Sequence, residues 1–289
     1  MYASKGPVVE EWADRRFFRP AGWRVARALW RTPVSPDAVT LASLVLGVVA
    51  GRLFWYHSHW INALGVVLFI ASDVLDSADG QLARLRGTSS RTGRVLDGAS
   101  DSLRFMSLYG HLAARLVAHA HGVHRWERIA LAVGAMLAHS LQASAADFVR
   151  QAYLYFAVGT GSELDLPETA GQPAGTSFGA RVTAWLYGDY VRRQTWLFPR
   201  TVNLARAVSG GRVPTSLRAE WAERQRPVVA ACAWIAQNIR FALLAVTVVP
   251  GWPAAFCWVT LGPLNLVLLL IVLVHERRAP AVQVSAQPA

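Results

Sequence analysis

Cysteine is nearly absent from this chain. Cys232 and Cys257 are the only two in 289 residues, and both sit in apolar stretches far from any second metal-type ligand. That argues against a disulfide framework or a zinc site. Lysine is scarcer still, with Lys5 alone among 29 basic residues, and acids are outnumbered at 18. There is no internal repeat and no low-complexity tract. The amino terminus has no charged-then-apolar leader with a cleavage site, since its first 36 residues are polar and aromatic, so the first long apolar segment is expected to direct insertion. Charge is also missing where it matters most: Ala254 to Val274 runs 21 residues without any, enough to cross a hydrocarbon core as a helix.

What remains is apolar. Hydrophobic residues make up 53% of the chain, with 12 Trp, and they come in long runs rather than short alternations, which excludes an ordinary soluble domain. The pattern predicts an all-α, polytopic membrane protein with six transmembrane helices, near 37–56, 60–86, 93–119, 127–158, 227–249 and 254–275. An amino-terminal interfacial amphipathic segment should precede them, because residues 8–33 mix Trp, Phe and Arg without spanning length and Pro20 divides them into two short helices. The chain thus divides into a juxtamembrane segment 1–36, helices one to four over 37–158, an insertion 159–226, helices five and six over 227–275, and a tail 276–289.

The net charge of +11 raises nucleic acid as a partner, but the placement of the charges points elsewhere. Seven basic residues precede Pro36, four lie from Arg84 to Arg94, nine from Arg181 to Arg226, and Arg277 and Arg278 close the last span, whereas the connections at His57–His59 and Pro250–Pro253 carry none. This alternation follows the positive-inside rule, so no nucleic acid is expected and both termini should face the cytoplasm. Arg125 and Arg128 fall on the opposite side and break the pattern.

Against this apolar background, residues 76–101 read DSADGQLARLRGTSSRTGRVLDGASD. On a helix Asp76, Asp79, Gly80, Ala83 and Arg84 share one stripe, and Gly93, Asp97 and Asp101 share another on the next helix, with residues 87–92 as the turn between. Packed together, the stripes bring four carboxylates beside a cleft left by small residues. An Asp at a helix centre costs roughly 2.5–3.5 kcal/mol, so four bare ones approach about 10 kcal/mol before mutual repulsion. Divalent cations remove that cost. Hard oxygen ligands suit Mg²⁺, Mn²⁺ or Ca²⁺, and four carboxylates can share two ions, an arrangement that with an adjacent Arg suits a diphosphate. A solvated loop of self-neutralising acids and arginines would not keep helical spacing or place Gly and Ala on the same faces.

The series Asp76-x2-Asp79-Gly80-x2-Ala83-Arg84-x8-Gly93-x3-Asp97-x3-Asp101 resembles the signature of the CDP-alcohol phosphatidyltransferases. The likeness extends over the six-span layout, roughly 10–158 and 227–275, and leaves the insertion 160–226 without a counterpart. The resemblance implies that Asp76, Asp79, Asp97 and Asp101 hold two divalent cations, Mg²⁺ or Mn²⁺. Asp101 would also be the base for the acceptor hydroxyl, and Gly80, Ala83, Arg84 and Gly93 would line the CDP site. It further implies a homodimer in the bacterial plasma membrane, with a cytoplasmic site that takes a CDP-linked donor and a polar alcohol and releases CMP. One departure stands out: Ser35-Pro36-Asp37 occupies the place where members often carry Thr-Pro-Asn.

The donor stays open between CDP-diacylglycerol giving a phosphatidyl group to inositol phosphate or glycerol phosphate and CDP-choline or CDP-ethanolamine giving its headgroup to a lipid alcohol. A divalent-cation transporter is the competing class, although a permeation path has no use for the fixed Gly, Ala and Arg. Polar residues within spans are candidates for the acceptor pocket: Arg104 and His111 in span three, His139, Gln142, Asp147 and Arg150 in span four, Asn238 and Arg240 in span five. An acceptor phosphate would need such arginines. Equally, His139 could make an interhelical hydrogen bond, and Asp147 and Arg150 could neutralise each other.

Overall fold

The computed structural model describes residues 8–88, 91–118, 120–159, 164, 178–208 and 213–280. Every element is helical, and no strand occurs among the described residues. The helices are α1 (Arg19–Leu29), α2 (Pro36–Leu53), α3 (His59–Arg86), α4 (Arg91–Val117), α5 (Val123–Tyr153), α6 (Phe178–Leu197), α7 (Pro199–Val208), α8 (Thr215–Ala231), α9 (Gln237–Leu243), α10 (Pro253–Leu261) and α11 (Pro263–Arg278).

Among the described residues, five helical stretches are long and apolar enough to cross a membrane: Pro36–Leu53, His59–Arg86, Val123–Val158, Thr215–Val248 and Pro253–Arg278. The third expected span is α4. At 27 residues it has the length, but Arg91, Arg94, Asp97, Asp101, Arg104 and Arg115 make it too charged to count by composition. The fifth is not one smooth helix. α8 carries Pro227 inside it, a 3₁₀ turn follows at Cys232–Ile235, Ala236 is extended, and α9 resumes before a π-helical turn at Leu244–Val248. At the amino terminus the expected break at Pro20 is absent. A π-helical turn, Asp14–Phe18, runs without interruption into α1, where Pro20 occupies the first turn. Pro20 therefore lies inside a continuous helix, where the wider turn before it relieves the clash with the carbonyl four residues back.

The described residues form two compact units, one within 1–139 and 237–263, the other within 140–236 and 264–289. In the first, Ser35 caps α2 by accepting from the Ala38 N–H at 3.1 Å, with Pro36 in the first turn, the arrangement that starts a helix most cleanly. Its core joins Ala50 and Phe54 of α2, Val66 and Phe69 of α3, Leu108 and Leu112 of α4, Ala132 and Ala135 of α5, and Phe241 and Phe256. Glycines let α2 lie close to α4: a Cβ at Gly51 would stand 2.9 Å from the Leu108 backbone nitrogen, and one at Gly47 would stand 2.5 Å from Arg104 Cδ. At the end of α3, Gly87 takes a left-handed conformation (φ 65°) and closes the helix. Arg86, just before it, donates to the carbonyls of Leu29, Trp30, Thr32 and Val34 at 2.6–3.3 Å, fixing the connection from α1 to α2.

The second unit is centred on aromatics. Phe148 stacks on Phe198 at 4.6 Å between ring centroids, and Phe156 lies 4.3 Å from Trp221. Glu276 receives the backbone N–H groups of Arg200 and Thr201 at 2.6 and 3.2 Å and the Thr201 hydroxyl at 2.7 Å. A carboxylate so placed at the start of α7 meets both its free donors and the positive end of its dipole. The expected insertion is largely helical where described, as α6, α7 and the first turns of α8; residues 160–163, 165–177 and 209–212 lie outside the described residues.

Candidate active site

The aspartate stripe on α3 meets that on α4 within the first unit. Carboxylate oxygens of Asp76, Asp79 and Asp97 lie within 4.8 Å of one another. Two oxygens bound to one divalent cation stand about 4.2–5.2 Å apart at most, for bonds of about 2.1–2.6 Å, so the spacing and the hard donor set fit such an ion. Asp79 is 7% exposed and is held in place by the Thr40 hydroxyl, which donates to its Oδ2 at 2.5 Å. Thr40 sits one turn into α2, on the face turned to α3. Asp37, in the signature-like triplet before it, is exposed.

Arg104 closes the other side. Its side chain is 5% exposed, and its Nη2 donates both to Asp76 Oδ1, at 2.8 Å, and to Asp101 Oδ1. Asp76 and Asp101 therefore meet across a single guanidinium nitrogen. Nη1 reaches Asp73 Oδ1 at 3.2 Å, Ser72 Oγ at 3.0 Å and Ser43 Oγ at 3.3 Å. Ser43 and Ser72 lock the two helices reciprocally, each hydroxyl donating to the other residue's carbonyl at 2.9 and 2.8 Å. The guanidinium is buried while its carboxylate partners are partly exposed, and such complete hydrogen bonding offsets the cost of burying the cation. The bare Gly47 backbone leaves room for the Arg104 stem.

The residues expected to line a CDP site continue the α3 stripe. The Arg84 guanidinium lies over Gly80, where a Cβ would be 3.5 Å from Nη1, and Ala83 is half-buried beside an exposed Arg84. Gly93 lies in the first turn of α4, where only the backbone is described.

The acceptor candidates divide. Arg104 belongs to the carboxylate cluster. His139 and Arg240 are buried in the first unit, His139 Nδ1 sharing a hydrogen bond with the Tyr109 hydroxyl at 3.1 Å and Arg240 Nη1 donating to Thr260 Oγ1 at 3.1 Å. His111 bonds within its own helix, to the Ser107 carbonyl at 2.7 Å, and Asn238 donates to Glu11 and Asp14 at 2.6 and 3.0 Å. Asp147 and Arg150 fall in the second unit, where Asp147 accepts from Tyr190 and Gln151 at 2.5 and 2.6 Å and Gln142 donates to Asn265 at 2.6 Å. Thr40, Ser43, Ser72 and Gly47 are the contributors that sequence reasoning did not assign. The signal for the three on α2 was a stripe of small and hydroxyl residues, Thr40, Ser43, Gly47 and Gly51, at helical spacing on an otherwise apolar helix.

A family model described as CDP-alcohol phosphatidyltransferase matches residues 33–205, and the chain belongs to that family. The match runs into the insertion, which the signature alone left without a counterpart. Among curated proteins the chain is similar to a phosphatidylinositol phosphate synthase of Streptomyces avermitilis, 36% identical over 102 residues, covering 34% of this chain and 40% of that one. A protein of the same name from Mycolicibacterium smegmatis is 39% identical over 80 residues, 27% of this chain and 35% of that one. A CDP-diacylglycerol–serine O-phosphatidyltransferase of Helicobacter pylori is 31% identical over 101 residues, 35% of this chain and 39% of that one. The matched stretch thus spans two fifths or less of each relative.

Proposed function

We propose that this protein is a metal-dependent transferase that moves a phosphatidyl group from CDP-diacylglycerol to a small polar alcohol or its phosphate, of the inositol phosphate or glycerol phosphate type, and releases CMP. The observation that carries the reading is the convergence of Asp76, Asp79 and Asp97 within 4.8 Å, with Asp101 held beside them through Arg104. The relatives' names support a CDP-diacylglycerol donor and a polar-alcohol acceptor over transfer of a choline or ethanolamine headgroup. A cation transporter would also use clustered acids, but it has no use for Gly80, Ala83 and Arg84, and family membership favours transfer.

Asp76, Asp79, Asp97 and Asp101 would hold divalent cations, which supply positive charge against the donor diphosphate. Thr40 fixes the rotamer of Asp79, and the packing of α2 on α3 and α4 fixes the carboxylates relative to one another. Gly80 and Ala83 leave the α3 backbone open to the cytidine diphosphate, with Arg84 placed to pair with a phosphate oxygen. Asp101 takes the proton from the acceptor hydroxyl. The resulting oxygen attacks the phosphorus bonded to diacylglycerol, the bond from that phosphorus to the bridging oxygen breaks, and CMP leaves with that oxygen. Arg104 stabilises the cluster as a fixed cation when the acids are ionised. A cytoplasmic site and cytoplasmic termini follow from the placement of basic residues, α1 rests on the membrane face, and the homodimer rests on family resemblance.

The test is CMP release by purified protein with CDP-diacylglycerol and Mg²⁺ or Mn²⁺, across inositol phosphate, inositol, glycerol phosphate, serine and no acceptor. Release with one acceptor supports the reading. Silence across the panel, with release from CDP-choline or CDP-ethanolamine and a lipid alcohol, would replace it.

A further inference from the structure

The far end of the first unit carries a cavity lined in part by basic side chains, which the carboxylate chemistry does not use. It has a volume of about 690 Å³ and is lined by His57, Arg115, His121, His124, Arg128 and Trp252, among others. Asp76 stands 17 residues from His59, at the start of α3, and Asp101 stands 14 residues from Arg115 on α4. At 1.5 Å per residue the two sites are separated by roughly 20–25 Å along those helices.

Arg115 is the informative residue. It is 5% exposed, and its Nη1 donates to the Phe54 carbonyl at 3.1 Å and the Asn62 side-chain oxygen at 3.4 Å. Both acceptors are neutral, and among the described residues no carboxylate pairs with it. The nearby Glu127 is engaged by His124 at 2.9 Å. A buried guanidinium with only neutral partners is costly, and an anion would offset that cost. Arg128 and His121 stand exposed at the same cavity.

The surroundings of the cavity say what kind of anion. Trp55, Tyr56, Trp60, Trp126 and Trp252 are all exposed at this end, Trp60 at 86%, and Arg52 lies over the Trp55 and Tyr56 rings at 5.4 and 5.1 Å. Tryptophan and tyrosine gather in this way at the level of lipid headgroups. We propose that this cavity is a binding site for the phosphate-bearing headgroup of an anionic membrane lipid, separate from the transfer site. Arg115 is its buried anchor and Arg128 its mouth. Arg128 thereby acquires a reason for breaking the charge pattern of the connections. The inference does not depend on the catalytic reading.

Native mass spectrometry of the full-length protein, stripped of lipid in detergent and titrated with phosphatidylglycerol or phosphatidylcholine, tests it. The wild type should retain one phosphatidylglycerol in preference to phosphatidylcholine. Arg128→Gln should lower that preference about tenfold, the loss of one charge-assisted contact, while CMP release stays unchanged. Arg115→Gln should abolish it; should that variant fail to fold, Arg128→Gln still decides the question. Arg125→Gln, on the same end but not lining the cavity, should keep the preference. Equal uptake of the two lipids by the wild type, or an undiminished preference in Arg128→Gln, would overturn the proposal. Glycerol phosphate displacing all bound phosphatidylglycerol at micromolar concentration would assign the site to a soluble phosphate and overturn its lipid part.

Discussion

Thr40→Val removes one hydroxyl and changes almost nothing else, since the two side chains are close in shape. The hydroxyl donates to Asp79 Oδ2 at 2.5 Å, in a place where Asp79 is 7% exposed and water cannot easily substitute. A hydrogen bond to a charged group contributes about 1.5–3 kcal/mol, and loss of a partner that orients a metal ligand typically costs about 10- to 100-fold in metal affinity. These two scales agree, because 1.4 kcal/mol is about a factor of ten. Titrating Mn²⁺ into the purified protein, once by CMP release and once by the paramagnetic signal of free Mn²⁺, should therefore show the half-saturating concentration raised about 10- to 100-fold. At saturating Mn²⁺ the rate should recover to within a few-fold, because Thr40 touches Asp79 and not Asp101, the proposed base. Thr40→Ser should restore the wild-type titration. An unchanged Mn²⁺ curve in Thr40→Val would refute the idea that Thr40 positions Asp79 for a cation.

Asp101→Asn should lower CMP release by about 10²–10⁴-fold, the range for loss of a general base, with the thermal unfolding midpoint retained. Treatment with a chelator should abolish release, and Mg²⁺ or Mn²⁺ should restore it; full activity without divalent cations would remove the metal from the reaction. Gly47→Ala places a Cβ 2.5 Å from Arg104 Cδ, which should cost about 1–3 kcal/mol by overpacking and reduce activity with it, read by thermal unfolding in detergent alongside CMP release. In the second unit, Glu276→Gln weakens the cap on α7 and should cost about 0.5–2 kcal/mol, measured the same way.

Charge-free runs made α2, α3, α5 and the stretch from α10 through α11 visible in the sequence, because a helix that must cross hydrocarbon writes its length directly into composition. α4 was legible as a helix but not by apolarity, since six charges interrupt it. The extended residue at Ala236 had no local sign: the surrounding Cys-Ala-Trp-Ile-Ala-Gln contains neither Gly nor Pro. Pro20 gave the opposite error, a breaker residue tolerated inside a continuous helix because a π-helical turn precedes it. At the site, period alone placed Asp76 with Asp79 and Asp97 with Asp101. It could not show Thr40 on Asp79 or Ser43 on Ser72, which join residues 39 and 29 positions apart through the packing of one helix on another. Nor could it show Arg104 serving as the common partner of Asp73, Asp76 and Asp101.

The connection between α1 and α2 is held by Arg86, which comes at the end of α3 and satisfies four carbonyls from Leu29 to Val34. During synthesis those carbonyls leave the ribosome more than fifty residues ahead of the side chain that binds them. The packing of α1 beside α2 and α3 is therefore settled only after the third helix has been made and placed. A chain arrested before residue 86 would carry its first helix on a loose tether, and the geometry of the amino terminus reports that the carboxylate-bearing helix is already home.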